Sequence, residues 1–258
     1  MQALGGILFD LDGVIYEGNS LIPGAVKTLK KIQAAGIPFR FITNTTRMTK
    51  NNLVGFLGGM GFSVGHESVF AAPHVAIEYC KLKGYKKIFL VVPDPEMKQD
   101  FSSFQLVDKN PDAIVLGDMG KLFTFNLLNR LFNEVINGSR LIAMHKNRYW
   151  KSARGLTVDL GAFIAALEYA SGKSAAVMGK PNPNMFQLAV QSWNVPPDSI
   201  FMIGDDIEGD VCGAKNVGMK SVLVKTGKFR EDVLARSKIK PDFIINSIAD
   251  LPGLFEIF

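Results

Sequence analysis

ILFDLDGVIYEG, residues 7–18, is a short apolar run that ends in two aspartates and turns at Gly13. An apolar run this short, bounded by a turn signal, reads as a buried β-strand. Its abrupt end at Asp10 and Asp12 admits two readings. One is a solvated acidic turn; the other is a sheet presenting carboxylates to a cation and a ligand. A calcium-loop reading fails, because the glycine comes at position four rather than six. Leu21 also stands at position twelve, where a bidentate carboxylate is required.

The rest of the chain repeats the opening pattern. GILF leads to a helix over about Gly24–Ala35, with Val26, Leu29 and Ile32 on one face and Gly36 as its stop. IPFRFITN is the next strand, ending at Thr43 and Asn44, and a second helix closes at GGMGF. Those glycines are not a phosphate loop: no strand directly precedes them and no GK[ST] follows. A second βα series then appears, with strands in KKIFLVV, DAIVLG and RLIAMHK and a long amphipathic helix in LFTFNLLNRLFNEVING. The first pattern resumes with AAVMGK, a helix over NMFQLAVQSW, the strand SIFMIGDD, a helix over EGDVCGAKNVG, then KSVLVKTG and DFIIN. Alternating strands and helices predict an α/β fold, a Rossmann-like parallel-sheet core. The interruption predicts a smaller inserted α/β domain at 73–174, with the core formed by 1–72 and 175–258.

Composition excludes more than it selects. The net charge of +5, from 29 Lys+Arg against 24 Asp+Glu, is too diffuse to argue for nucleic acid but suits a small anionic ligand. Two cysteines, Cys80 and Cys212, without a CxxC spacing, give neither a disulfide framework nor a zinc site, and Cys212 reads as a small buried hydrophobe. The apolar start is cut at Asp10, too early for a signal peptide, and no stretch approaches a membrane span. A cytoplasmic protein with no membrane or nucleic-acid partner is the expectation.

In parallel sheets, ligands bind beyond the carboxyl ends of the strands. Here those ends carry Asp10 and Asp12, then Thr43 and Asn44, then Lys180, then Asp205, Asp206 and Asp210. Carboxylates gathered at one point repel unless a cation joins them. Oxygen ligands without a nearby histidine favour Mg²⁺. With that charge screened, one aspartate can attack phosphorus while another two residues on protonates the leaving oxygen and later activates water. A lysine and a hydroxyl would hold the phosphoryl oxygens.

FDLDGV, FITN, GKPNP and IGDDIEGD resemble, in order and spacing, the four motifs of the haloacid dehalogenase superfamily. An insertion between the second and third motifs resembles subfamily IIA, the NagD-like and nitrophenylphosphatase-like enzymes. The resemblance implies a Mg²⁺-dependent phosphatase acting on a small phosphorylated metabolite through an aspartyl-phosphate. It implies Asp10 as nucleophile and Asp12 as general acid/base, with the Asp10 carboxylate, the Asp12 carbonyl and Asp205 binding Mg²⁺. Thr43 and Lys180 would hold the phosphoryl group, Gly13 and Asn44 would line the pocket, and Asp206 and Asp210 would stand behind the ligands. A homodimer through the inserted cap is the partner it suggests.

HKNRYWKSAR, residues 145–154, reads either as a cap surface selecting an anionic substrate or as an ordinary basic loop. Two other chemistries share the motif set: phosphoryl transfer to an acceptor other than water, and hydrolysis of a P–N or P–O–P bond. A non-catalytic Mg²⁺-dependent binding or signalling module belongs to a different class. A receiver domain is about half as long, however, and places its acidic pair before the phosphorylated aspartate.

Overall fold

The computed structural model describes residues 4–152 and 155–255, and the chain folds as two compact units. The first comprises Met1–Thr43, Val54–Phe70 and Lys180–Phe258; the second comprises Asn44–Leu53 and Ala71–Gly179. The second unit therefore takes in more than the 73–174 read from the sequence: it gains 44–53, starts its main segment at Ala71 and runs to Gly179.

The first unit is built on a six-stranded sheet in the order Phe243–Ile245, Lys220–Val224, Ile200–Gly204, Gly6–Phe9, Phe39–Thr43, Val69–Ala71. Gly6–Phe9 pairs in parallel with a strand on each side, setting Phe9 opposite both Ile203 and Phe41. Every residue of Gly6–Phe9 and of Ile200–Gly204 is buried. That explains their unbroken apolar character, since a parallel sheet covered on both faces has no polar side to alternate with. From Gly6–Phe9 the chain moves outward through Phe39–Thr43, and later returns to fill the other flank with Ile200–Gly204. The strand order thus reverses between Gly6–Phe9 and Ile200–Gly204, and the crevice at their carboxyl ends is where a doubly wound sheet takes its ligand.

Packing fixes these strands firmly. Phe9, Phe39, Phe41 and Phe62 meet edge-on or tilted at centroid distances of 5.7–6.4 Å. Arg40 lies over Phe70 and Trp193 while donating to the Ala189 carbonyl and Ser192 Oγ, so its guanidinium ties the sheet to the helix Pro183–Val190 and its end. The helix Ala25–Ala34 buries Ala25, Thr28, Leu29 and Ile32 and is followed by Gly36 in the left-handed region, close to the expected limits.

The second unit holds a five-stranded parallel sheet in the order Ala176–Val177, Arg140–Ala143, Ala113–Leu116, Lys87–Val91, Gln105–Leu106. Helices Phe125–Ile136 and Leu160–Ser171 close its core, with Leu131, Val135, Ile164 and Leu167 packed against Phe89, Ile114 and Leu141. Thr124 caps the first of these by accepting from the Leu127 amide.

Three readings need correction. AAVMGK is not a core strand: Ala176–Val177 pairs with Ile142–Ala143 in the second unit's sheet, and two residues carry too little pattern to say which sheet they join. Cys212 is only half-buried, and Cys80 is the enclosed thiol. In place of one helix over EGDVCGAKNVG, a wide turn at Ile207–Val211 precedes a short helix at Cys212–Asn216. Two hairpins were unforeseen, Tyr16–Glu17 with Ser20–Leu21 and Tyr149–Ser152 with Gly155–Val158. The first strand of the second covers 149–152 of the basic run 145–154, whose residues 153 and 154 lie outside the described residues. Among the described residues no helix is long and apolar enough to cross a membrane.

Leu8 is fully buried in the central strand and Leu82 is 82% exposed. Leu8→Ala is expected to lower unfolding free energy by about 2–5 kcal/mol, from lost burial plus the cavity left behind. Leu82→Ala should stay within about 0.5 kcal/mol of the parent. Urea denaturation of both variants checks the contrast.

Candidate active site

Asp10 follows directly on the central strand, its amide bonded to the Ile203 carbonyl at 2.9 Å. Its carboxylate is enclosed, and one oxygen, Oδ1, does two jobs: it accepts from the Leu11 amide at 2.7 Å and pairs with Lys180 Nζ at 2.7 Å. Lys180 Nζ also lies 2.7 Å from Asp210 Oδ1. Burial by itself would depress the Lys180 ammonium, but the charges of Asp10 and Asp210 outweigh it and raise the group above its ordinary value. Lys180 is thus a permanent cation clamped between two carboxylates. The sequence reading hung it on a core strand; it arrives instead on the loop leaving the second unit's edge strand.

Asp205 follows Ile200–Gly204, the strand beside Asp10. Its Oδ2 accepts from the Lys228 amide at 2.6 Å, while its Oδ1 is buried with no hydrogen-bond partner among the described residues. Carboxylate oxygens of Asp10, Asp205 and Asp210 all lie within 4.8 Å of one another. Burial, opposed by Lys228 and reinforced by Asp10 and Asp210, pushes Asp205 well above the usual carboxylate range. The same forces press Asp210 upward: burial first, against Lys180, with Asp10 and Asp206 adding to it. A buried oxygen left unpaired, among carboxylates that repel, is the environment a hard cation relieves. With no sulfur or imidazole in the cluster, the donor set fits an oxygen-seeking ion.

Asp12 is less enclosed. Its carboxyl is pushed from 3.8 up to about 6, chiefly by burial and then by the charge of Asp10, with Lys228 pulling the other way. Thr43 is buried at the end of Phe39–Thr43, two residues past the Phe41 that pairs with Phe9, and so shares the sheet edge with Asp10. Asn44 falls in the second unit, where its amide donates to Asn147 Oδ1 at 3.0 Å. Asp206 caps the turn that follows it, with Oδ1 accepting from the Glu208 and Gly209 amides and Oδ2 pairing with Lys228 Nζ at 3.3 Å. Those bonds, outweighing burial, hold Asp206 below the usual range. The Asp206 amide in turn donates to Asp210 Oδ2 at 3.1 Å.

Two glycines make this crowding feasible. Gly13 and Gly227 both sit in the left-handed region, and a side chain on either would strike Asp205 Oδ2. Thr226 locks the two loops together by donating to the Gly13 carbonyl. Thr226, Gly227 and Lys228 were missed by the sequence reading, although the signal was there. Thr226 and Gly227 close the strand run KSVLVKTG and Lys228 follows it, so the rule applied to the other strand ends would have named them.

Asp12 holds its proton in the folded protein at pH values where the unfolded chain has lost it. Its contribution to stability is therefore largest below about pH 4 and declines as pH rises to about 6. In EDTA, Asp12→Asn should remove this decline, gaining up to about 3 kcal/mol on the wild type between pH 4 and pH 7. Thermal unfolding of both proteins across that range measures it, and a gap that does not change with pH would contradict the assignment.

A haloacid dehalogenase-like hydrolase model matches residues 7–106, and a HAD-hydrolase-like model matches residues 177–251. The chain is 37% identical over 229 residues to haloacid dehalogenase-like hydrolase domain-containing protein 2 of Bos taurus, covering 89% of this chain and 87% of that protein. It is 36% identical over 250 residues to phospholysine phosphohistidine inorganic pyrophosphate phosphatase of Xenopus laevis, covering 94% and 91%. The solved 4-nitrophenylphosphatase of Thermotoga maritima superimposes with a TM-score of 0.89 at 30% identity, covering 98% of this chain and 97% of that one.

Proposed function

Given that the chain belongs to the haloacid dehalogenase superfamily, subfamily IIA, and is a phosphohydrolase of that family, we propose that it hydrolyses a small phosphorylated metabolite through an aspartyl-phosphate on Asp10. One observation carries this reading: Lys180 and the Leu11 amide both bond Asp10 Oδ1, which leaves Oδ2 to attack.

Mg²⁺ is the cation proposed for Asp10, the Asp12 carbonyl and Asp205, where it would neutralise the carboxylates and the incoming phosphoryl oxygens. Asp10 Oδ2 attacks phosphorus as the bond to the leaving oxygen breaks. Asp12, its carboxyl raised toward neutrality by burial, gives its proton to that oxygen. In the second step Asp12, now a carboxylate, takes a proton from water as that water attacks phosphorus, freeing Asp10 and inorganic phosphate. Thr43 donates to a phosphoryl oxygen, and Lys180 keeps Asp10 aimed. Gly13, whose amide donates to the Tyr16 carbonyl at 2.7 Å, and the side chain of Asn44 line the proposed phosphate pocket, and Asp206 and Asp210 hold the lysines. The second unit serves as the substrate-selecting cap. A cytoplasmic enzyme that pairs through this cap is the fuller reading.

A second reading concerns the bond cleaved. The Xenopus laevis relative is named for P–N and P–O–P substrates, which the same residues could accept.

Inorganic phosphate release tests both readings, over sugar phosphates, nucleotides, phosphoamino acids, phosphoramidates and pyrophosphate. Multiple-turnover release is expected with Mg²⁺ and not with EDTA. Asp10→Asn should lose at least about 10³-fold and Asp12→Asn about 10²–10⁴-fold. Turnover retained in Asp10→Asn would sink the aspartyl-phosphate. A folded, Mg²⁺-binding protein that releases no phosphate would point to the binding-module alternative.

A further inference from the structure

Lys228, which the sequence reading did not name, meets the acidic cluster through both its backbone and its side chain. Its backbone amide fixes Asp205 Oδ2, and its ammonium lies 3.3 Å from Asp206 Oδ2, with the side chain only 14% exposed. The residue before it, Gly227, packs so closely on Asp205 and Gly13 that a side chain there would strike both. Thr226 anchors the same loop to the Gly13 carbonyl. Lys228 is therefore held in place from both its backbone and its head group.

Charge balance shows what this placement does. Five carboxylates, on Asp10, Asp12, Asp205, Asp206 and Asp210, are opposed by two ammonium groups, those of Lys180 and Lys228. Lys180 is committed to Asp10 and Asp210. Lys228 is the cation that acts on Asp205 and Asp12 and the stronger of the two on Asp206, which Lys180 also reaches. A positive charge there opposes the binding of a divalent cation to the same carboxylates. It also lowers the repulsion that an incoming phosphate dianion would meet.

We propose that Lys228 is a positioning residue that acts as a built-in counter-ion, giving up affinity for the divalent cation in return for affinity for the phosphoryl group. It does this by holding Asp206 with its ammonium and Asp205 with its amide. The proposal rests on the phosphohydrolase reading above. It differs from a purely structural role in sign: loss of a structural support would weaken every ligand, whereas loss of this charge strengthens one and weakens the other.

Calorimetric titration of Mg²⁺ at pH 8 tests it on the wild type, Lys228→Met and Lys228→Arg. Inorganic phosphate is then titrated into each Mg²⁺-loaded protein. Lys228→Met is expected to bind Mg²⁺ about tenfold more tightly and phosphate about tenfold more weakly, with Lys228→Arg close to wild type in both. In turnover assays the change should fall on KM rather than kcat. Should Lys228→Met not fold, Lys228→Gln keeps a hydrogen-bond donor without the charge and carries the same titrations. Mg²⁺ affinity unchanged or weakened in a folded uncharged variant would overturn the proposal. Absence of phosphate release from every substrate would count against the phosphohydrolase reading alone, because the Mg²⁺ titration needs no turnover.

Discussion

Carboxylates gathered in a buried crevice are the constraint on which the rest of the first unit depends. Asp10, Asp205 and Asp210 bring oxygens within 4.8 Å of one another, in a place where water cannot screen them. Removing a carboxylate from water is costly, and placing others beside it costs more. The surrounding structure answers that repulsion. Lys180 bridges Asp10 and Asp210, Lys228 faces Asp206, and backbone amides from Leu11, Asp206 and Lys228 supply further positive ends. One oxygen, Asp205 Oδ1, has no hydrogen-bond partner among the described residues, a need that a cation would meet.

This arrangement assigns different tasks to chemically identical side chains. Asp10 is tied down by one oxygen, Asp206 is held low by two amides and a lysine, and Asp12 is pushed toward neutrality by burial. Carboxyl groups whose environments drive their proton affinities apart are the usual sign of divided acid–base labour. The backbone makes the division feasible. The left-handed glycines at 13 and 227 let two loops close on Asp205 where any side chain would collide with it.

The sheet supplies the rigidity that such a cluster needs. Asp10 and Asp205 leave neighbouring strands whose residues are all buried and whose register is set pair by pair from Gly6 and Ile200 onward. Carboxylates on flexible loops would move apart to relieve their repulsion. At the ends of strands packed on both faces they cannot, so the repulsion is available to bind a cation.

The sequence by itself determined a good deal. Unbroken apolar strands alternating with helices required a parallel α/β sheet, and the polar residues ending those strands located its working edge. Asp10, Asp12, Thr43, Asp205 and Asp210 were legible because strand periodicity and the strand-end rule are local properties of the chain, whereas Lys180 was named on a core strand that it does not follow. Other features lay in contacts between distant residues. That Ala176–Val177 belongs to the second sheet, that Asn44 folds with Asn147, and that Lys228 faces Asp206 were decided only by the tertiary structure. A two-residue strand carries no periodicity of its own, and a lysine in a loop looks the same whether water or a carboxylate lies beside it. Which charge meets which, and how much water is excluded when they meet, depends on packing, and that is settled only when the chain has folded.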